Sequence, residues 1–251
     1  MVLPSVPSQG RQVRSAYRYY SSVPVYRVRS KWVNTQVWLH KPNGESADRE
    51  SQSKTARSLL AFACRSSGVK LNQTQLAMPG PDLMGLISRE FGLTISITHC
   101  PKLVAVALGK GQLGLDCEAT GRTRNWLGIA DQFFTREEAV TIASASTAEH
   151  ESVFLRHWVL KESYIKSIKG TVFGDLNRLT LTDFGESAKI EHRDRGQGRW
   201  AWVGCFASHV LGIYCSDMSP PKLAFYDFAD ATDASSKPHS IYVEGHFIPI
   251  N

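Results

Sequence analysis

The sequence predicts an α+β protein made of two similar halves. Short apolar or alternating stretches are typical of strands, and three longer stretches carry apolar residues at helical spacing. Each half is predicted to contain a strand, then a helix, and then further strands. With 42% hydrophobic and 21% charged residues among 251, the chain has the composition of a soluble folded protein that can bury a substantial core.

Strand and helix signals alternate along the first half. The predicted elements are strand in VPVYRVRSKWVNTQVWLH (23–40), loop in KPNGESADRESQS (41–53), helix in KTARSLLAFACRSSG (54–68), a break in AMPGPDLMG (77–85), and strands in LTISIT (93–98) and LVAVAL (103–108). The last strand turns at Gly109-Lys110-Gly111 into QLGLDC, which begins the second half.

Two helices open the second half. TREEAVTIASAS begins with Thr135 and Glu138 at capping-box spacing, and TAEHESVFLRHWVLKESYIKSIKG carries an apolar face until Gly170. The remaining third, including RWAWVGCFAS and HVLGIYCS, is rich in strand formers.

The N-terminus is basic, because seven Arg and Lys residues and no acid precede Glu45. This composition suits either an arm leading into the first strands or an organelle transit peptide, and the strand-like alternation from residue 23 favours the arm. We therefore predict a basic arm over 1–20, an N-terminal half over 21–112 and a C-terminal half over 113–251.

Charge and cysteine usage limit the function classes. A net charge of +6 and a pI near 9.1 favour acidic partners, such as nucleic acid, anionic lipid, phosphorylated ligands or acidic proteins. The five cysteines form no CxxC pair, which predicts buried free thiols in a reducing cytoplasm. No apolar run is long enough to span a membrane, and no HExxH, P-loop or GxGxxG pattern supports a zinc protease, NTPase or dinucleotide site.

Two acids end a strongly apolar strand in GLDCE. Asp116 and Glu118 project to one face of a strand, while Leu115 and Cys117 project to the other. Side-by-side carboxylates repel unless a cation lies between them, and Mg2+ prefers oxygen ligands. The alternative is an exposed strand end with two solvated acids.

A third acid lies on the predicted helix at 147–170. Glu162 is four residues before Lys166 and borders the apolar face. This pair indicates either an ordinary helix ion pair or a carboxylate and a cation at a site.

Taken in order, several of these stretches resemble the signature series of the Sfp-type 4'-phosphopantetheinyl transferases. They are TARSLLAFACR, LTISITHC, GLDCE, FFTREEAVTI and WVLKESYIKSIKG. The resemblance covers roughly residues 50–170 and implies the fold of that family, with two pseudo-symmetric αβ halves and the active site between them.

The resemblance also implies an activity. Such enzymes transfer the 4'-phosphopantetheine group of coenzyme A to a serine hydroxyl of an acyl, peptidyl or polyketide carrier protein and release adenosine 3',5'-bisphosphate. It implies Mg2+ held by Asp116, Glu118 and Glu162, with Lys166 as the cation on the phosphate. It also favours a monomer with acidic carrier domains as partners, and no nucleic acid or membrane partner.

Further roles follow from the resemblance. Glu138 is the candidate base for the serine proton, although it also fits the return half of a capping box with Thr135. His99, with Thr98 at the family's serine position, is expected at a coenzyme A phosphate. Arg57 and Lys31 are further candidates for the nucleotide phosphates. The family's G-x-K-P segment has no lysine here, which puts the adenine-side contacts in question.

Two rival functions remain open at this stage. The first is a transferase-like protein without activity that binds carriers or nucleotides, which the missing lysine favours. The second is a basic nucleic-acid-binding protein, because SAYRYYSSVPVYRVRSKW mixes Tyr and Arg in a way that suits stacking on single strands.

Overall fold

The fold consists of successive groups of helices and strands. The computed structural model describes residues 34–42, 49–182, 187–190, 200–216, 222–227 and 239–250. The strands are β1 (Asn34–His40), β2 (Thr94–Cys100), β3 (Leu103–Gly109), β4 (Leu113–Ala119), β5 (Leu179–Thr182), β6 (Ser187–Ile190), β7 (Trp200–Phe206), β8 (His209–Cys215), β9 (Lys222–Asp227), β10 (His239–Ile241) and β11 (Glu244–Pro249). The helices are α1 (Arg49–Ser66), α2 (Gln73–Leu76), α3 (Gly80–Phe91), α4 (Trp126–Phe133), α5 (Arg136–Ser144), α6 (His150–Ile168) and α7 (Val172–Asp175), with a 3-10 turn at Leu176–Arg178.

The strands form two main sheets. Five of the described strands pair in the order β10-β9-β1-β3-β2, and four others pair in the order β11-β7-β8-β4. β1 is antiparallel to β3 and parallel to β9, with Val37 opposite Phe225. β5 and β6 form a separate hairpin. The predicted α+β class is confirmed, and the predicted boundary at residue 112 falls directly before β4.

The two sheets pack face to face, and each is covered by helices on its other face. Along β1, Val37 and Leu39 face the core between the sheets, whereas Trp38 faces α1 and α3. Along β4, Leu115 and Cys117 face that same core between the sheets. Because side chains alternate along a strand, Gly114 and Asp116 face α6 on the other side. Glu118, the second acid of the predicted pair, therefore also lies on the helix side of β4.

Two sequence expectations are wrong in this part of the fold. Residues 77–85 are predicted as a break, but α3 begins at Gly80. Pro81 is tolerated in its first turn, where a backbone N–H lacks a helical partner in any case. Helix α1 also begins at Arg49, inside the stretch predicted as a loop.

The cysteines are free thiols as predicted, and four of them are buried. Cys205 is the exception, because it is exposed. None of the helices in the described ranges combines the length and the apolar character needed to cross a membrane. Lys31 and the predicted arm over 1–20 lie outside the described residues.

Candidate functional site

The three predicted acids line one cavity. Asp116 and Glu118 at the end of β4, and Glu162 on α6, border a cavity of about 330 Å3. The other residues that border it are Ile97, Thr98, His99, Cys117, Trp158 and Lys166. The fold therefore brings together residues from three elements that are far apart in sequence.

Gly114 explains why α6 can approach β4 so closely. A side chain at Gly114 would collide with the carbonyl oxygen of Ser163 on α6 and would come within 2.9 Å of the Ser167 backbone nitrogen. On the neighbouring strand β8, a side chain at Gly212 would come within 2.5 Å of the Val159 carbonyl oxygen. The glycine of GLDCE is thus required by helix packing, and this packing sets α6 directly over the acids.

Lys166 is the cation of the cavity. Its ammonium nitrogen lies 2.7 Å from Asp116 Oδ1, and it also donates to Thr98 Oγ1 at 3.1 Å and to the Leu115 carbonyl at 3.3 Å. Thr98 Oγ1 in turn donates to Asp116 Oδ1 at 3.1 Å. Three elements, β2, β4 and α6, are joined through these contacts.

The carboxylates carry more negative charge than Lys166 balances. Burial, and then the charges of Asp116 and Glu118, raise the pKa of Glu162 to about 7 against the opposing charge of Lys166. Burial and Asp116 also raise the pKa of Glu118, although Arg124 and Arg122 oppose the shift. Asp116 Oδ2 is buried without a hydrogen-bond partner. This electrostatic state is relieved by a cation bound among the acids.

The carboxylate oxygens of the three acids are ligands of the kind that a hard divalent cation prefers. Oxygen ligands from three carboxylates suit Mg2+, and the orphaned Oδ2 of Asp116 is a lone acceptor facing a polar cavity. Among the described residues, however, no three acidic, histidine or cysteine side chains are gathered closely enough to hold one ion. Closure of Glu118 and Glu162 onto Asp116 by side-chain rotation is therefore required for a common ion.

Of the predicted phosphate contacts, Thr98 and His99 lie at the cavity together with Lys166, Arg57 does not, and Lys31 is outside the described residues. Thr98 is buried, and His99 is exposed at the end of β2. Arg57 is directed elsewhere: its Nη1 donates to the carbonyls of Leu76 and Met78 at 3.1 and 2.6 Å. Arg57 therefore holds the end of α2, and the cavity lining does not include it.

Glu138 is fully buried away from the cavity. Its carboxylate accepts two hydrogen bonds from the Lys161 ammonium at 2.8 Å, and one from the Leu181 N–H at 2.9 Å. It also accepts from the Thr135 N–H, while Thr135 Oγ1 accepts from the Glu138 N–H, which completes the capping box. Both side chains of the Glu138–Lys161 pair are wholly buried. The geometry favours the capping alternative over the role of a base.

Three residues near the cavity have no counterpart in the sequence predictions. Trp158 forms part of the cavity wall, and its position four residues before Glu162 was a usable signal. Arg122 and Arg124 follow β4 directly, and both lower the pKa of Glu118. Their positions, four and six residues after Glu118 in EATGRTR, are the signal that could have identified them.

Behind the acids, on the opposite face of β4, two thiols meet. The Cys117 thiol donates to Cys100 Sγ at 3.3 Å. This hydrogen bond, opposed by burial and assisted by His209, lowers the pKa of Cys100 to about 6. His209 is oriented by a contact of 2.8 Å between its Nε2 and the Pro101 carbonyl.

A larger cavity of about 710 Å3 lies at the C-terminal end of α6, near Lys169 and Gly170. The acid in its lining, Asp175, is already bound by the Arg178 guanidinium at 2.8 Å and by the Thr171 N–H at 2.8 Å. The smaller cavity is therefore the better candidate site, because its three carboxylates share the ammonium of Lys166.

Comparison with known proteins matches the same part of the chain. Residues 112–213 match the model of the 4'-phosphopantetheinyl transferase superfamily. This segment is therefore similar to that superfamily. The resemblance predicted from the sequence is thereby confirmed, and the matched region contains β4, α5, α6 and the part of β8 up to residue 213.

Two curated proteins are similar to the chain over part of its length. The 4'-phosphopantetheinyl transferase gsp of Aneurinibacillus migulanus is 30% identical over 88 residues, which are 35% of this chain and 36% of that protein. The 4'-phosphopantetheinyl transferase HetI of Nostoc sp. (strain PCC 7120 / SAG 25.82 / UTEX 2576) is 28% identical over 89 residues, which are 35% of this chain and 38% of that protein. The matches thus span little more than a third of each relative.

Proposed function

We propose that this protein is a 4'-phosphopantetheinyl transferase. It moves the 4'-phosphopantetheine group of coenzyme A to a serine hydroxyl of an acyl, peptidyl or polyketide carrier protein and releases adenosine 3',5'-bisphosphate. The observation that supports this best is the shared cavity of Asp116, Glu118, Glu162 and Lys166 within the superfamily segment.

In this proposal Asp116, Glu118 and Glu162 hold Mg2+. When bound, the ion neutralises charge on the pyrophosphate of coenzyme A as the transferred phosphorus is attacked. The buried Oδ2 of Asp116 and the raised pKa of Glu162 support this assignment, because both indicate acids placed for a cation that side chains alone do not supply.

Lys166 supplies a fixed positive charge in the same cavity. Its ammonium is held by Asp116, Thr98 and the Leu115 carbonyl, so it is oriented before a substrate arrives. A preorganised cation lowers the barrier because charge on the phosphate oxygens grows toward the transition state. In the proposal, Lys166 therefore donates to a phosphate oxygen of coenzyme A, and His99 and Thr98 at the cavity rim contact a further phosphate.

Glu162 is the proposed acceptor of the serine proton, directly or through a water molecule. It is the predicted catalytic carboxylate that lines the cavity, whereas Glu138 is enclosed by Lys161 and the Leu181 N–H. A base must reach the proton it removes. Glu138 acts instead as a positioning residue, since it fixes Lys161, the residue beside Glu162 on α6.

The remaining parts of the proposal concern architecture and partners. The two helix-covered sheets correspond to two pseudo-symmetric halves, with the site where β2 meets β4. A net charge of +6 favours an acidic carrier domain as the partner. The proposal includes a monomeric enzyme. It also includes a cytoplasmic location, which the buried free thiols favour.

Mass spectrometry of the carrier protein tests the proposal. The chain is incubated with coenzyme A, Mg2+ and a panel of apo carrier proteins, and we expect a mass increase of one phosphopantetheine group on a serine. Chelation of Mg2+ and the substitution Asp116→Asn should each abolish the increase, while Asp82→Asn, an exposed acid on α3, should not.

The same assay separates the rivals. Binding of coenzyme A without transfer to any carrier would indicate an inactive transferase-like protein. Absence of both, combined with a steep salt dependence of binding to random oligonucleotides, would instead indicate a nucleic-acid-binding protein.

A further inference from the structure

The buried thiols of Cys100 and Cys117 lie close together, and the proposed transfer reaction uses neither of them. Cys100 is the last residue of β2, and Cys117 is the residue between the two acids of β4. Their sulfur atoms are 3.3 Å apart, and both side chains belong to the core between the sheets. Movement of about 1 Å brings such a pair to the length of a disulfide bond.

Other groups fix this geometry. Thr98 Oγ1 lies 3.7 Å from Cys117 Sγ, so the thiol is held from a second side. His209 on β8 is buried beside Cys100 and interacts with its thiol. The imidazole is therefore placed to take a proton released by the Cys100 thiol.

Cys100, at the end of β2, keeps 7% of its surface exposed, so a small oxidant would reach the pair at this residue. Cys64 belongs to the separate core beneath α1, and Cys205 is exposed on β7. The short distance between their sulfur atoms distinguishes Cys100 and Cys117.

We infer that Cys100 and Cys117 form a peroxide-sensitive dithiol, a modification site that converts to a disulfide between β2 and β4. Cys100 sulfur attacks one peroxide oxygen, the O–O bond breaks, and the leaving hydroxide takes up the thiol proton as water. Cys117 sulfur then attacks the resulting sulfenic acid, the S–O bond breaks, and a second water molecule leaves with the Cys117 proton. Two thiols are oxidised, one peroxide is reduced, and a dithiol reductant restores the starting state.

The disulfide would act on the site through the backbone. Cys117 stands between Asp116 and Glu118, and Cys100 follows Thr98 and His99, so a bond between the sulfurs pulls both site strands together. Catalytic geometry tolerates little displacement, and we expect phosphopantetheine transfer to fall by at least about tenfold in the oxidised protein. This consequence rests on the proposed function, whereas the thiol chemistry does not.

Peptide mapping of the full chain tests the inference. The protein is treated with hydrogen peroxide, its remaining thiols are alkylated under denaturing conditions, and the peptides are analysed without reduction. We expect the free thiols to fall from five to three and a linked peptide pair to contain Cys100 and Cys117. Cys205→Ser serves as the matched control that keeps the link, and Cys100→Ser should lose it while Cys117 remains alkylated.

The peptide map separates results that support the inference from results that overturn it. A Cys100–Cys117 link that dithiothreitol reverses supports the inference even if no carrier protein is modified in any condition. Oxygen added to Cys100 or Cys117 without a link, or a link that joins Cys205 of two chains, would overturn it. The wild-type peptide map gives this answer even if the Cys100→Ser chain fails to fold.

Discussion

The ammonium of Lys166 lies 2.7 Å from Asp116 Oδ1, on the strand that α6 covers. The same ammonium is bound by Thr98, so the contact joins the edge strands of both sheets to the helix. Lys166 thereby offsets part of the repulsion among three carboxylates, and it holds a donor at the place where we propose the phosphate binds.

Substitution of Lys166 should therefore reduce catalysis more than binding. For Lys166→Gln we expect the rate constant for transfer to fall about 100-fold or more, because a preorganised charge near developing phosphate charge is lost. Steady-state kinetics with coenzyme A and a carrier measure this effect. Lys169→Gln, at the exposed end of the same helix, is the matched control. Equal losses in both variants would refute the assignment.

Glu162 should make the stability of the metal-free protein depend on pH. Its pKa is raised from 4.5 to about 7 in the folded state, so the fold binds more protons than the unfolded chain between these values. The stabilising contribution of protonated Glu162 is complete below about pH 4.5 and is lost as the pH rises through 7. With a discount for its partial exposure, the loss is about 1–2 kcal/mol.

Urea unfolding at pH 5 and pH 8 measures this loss. The Glu162→Gln variant, which keeps the shape without the charge, should lack the part of the pH dependence that Glu162 contributes. Mg2+ at pH 8 should stabilise the wild-type chain and should stabilise the variant much less. If the unfolding free energy of the two chains depended on pH in the same way, the raised pKa of Glu162 would be contradicted.

The buried Glu138–Lys161 pair should matter for folding. Lys161→Met leaves the Glu138 carboxylate buried without its ammonium and should cost about 3–5 kcal/mol of unfolding free energy. Combining it with Glu138→Gln should recover part of that loss, which a double-mutant cycle measures.

Activity data distinguish the two interpretations of Glu138. If the residue only positions α5 against α6, folded Glu138→Gln keeps the pH profile of the transfer rate found in the wild-type protein. Loss of the acidic limb of that dependence, together with a transfer rate reduced by orders of magnitude, would restore Glu138 as the base.

Gly114 should tolerate no side chain. In Gly114→Ala the added methyl group meets the Ser163 carbonyl on α6, which is backbone and cannot rotate away. We expect a loss of about 3 kcal/mol or more and a displaced α6. Thermal unfolding measures the loss, with Gly80→Ala as the control, since an added side chain there meets no atom within 4 Å.

His99 should act on coenzyme A affinity. It is exposed at the cavity rim, so His99→Ala should fold normally and raise the Michaelis constant for coenzyme A about tenfold, as expected for one charge-assisted hydrogen bond. With 3'-dephospho-coenzyme A the variant and the wild-type chain should behave alike if His99 contacts the 3'-phosphate. A tenfold difference that persists with this substrate would place His99 on another phosphate.

The sequence was most informative where a single element fixes the geometry. Alternation along β4 predicted that Asp116 and Glu118 share a face, and helical spacing predicted Lys166 one turn from Glu162. The approach of β4 to α6 depends on packing between distant segments, and only a resemblance in motif order suggested it. The role of Glu138 could not be decided, because its partner Lys161 lies 23 residues away in another helix.

Helix α3 and the burial of Lys161 were missed for physical reasons. Proline and glycine at 79–81 are breakers inside a helix but suit its first turn, and local composition does not distinguish these positions. Lysine is nearly always exposed unless it is paired, and its partner is not visible from its neighbours in sequence.

The parallel pairing of β1 with β9 has a consequence for synthesis on the ribosome. β1 spans residues 34–40, but the strand beside it spans 222–227, and β10 at 239–241 completes that edge. The five-stranded sheet therefore cannot close until residues 222–241 have emerged from the exit tunnel. Throughout elongation one side of β1 lacks its neighbour, so nascent chains stalled before residue 222 should engage chaperones and resist compaction.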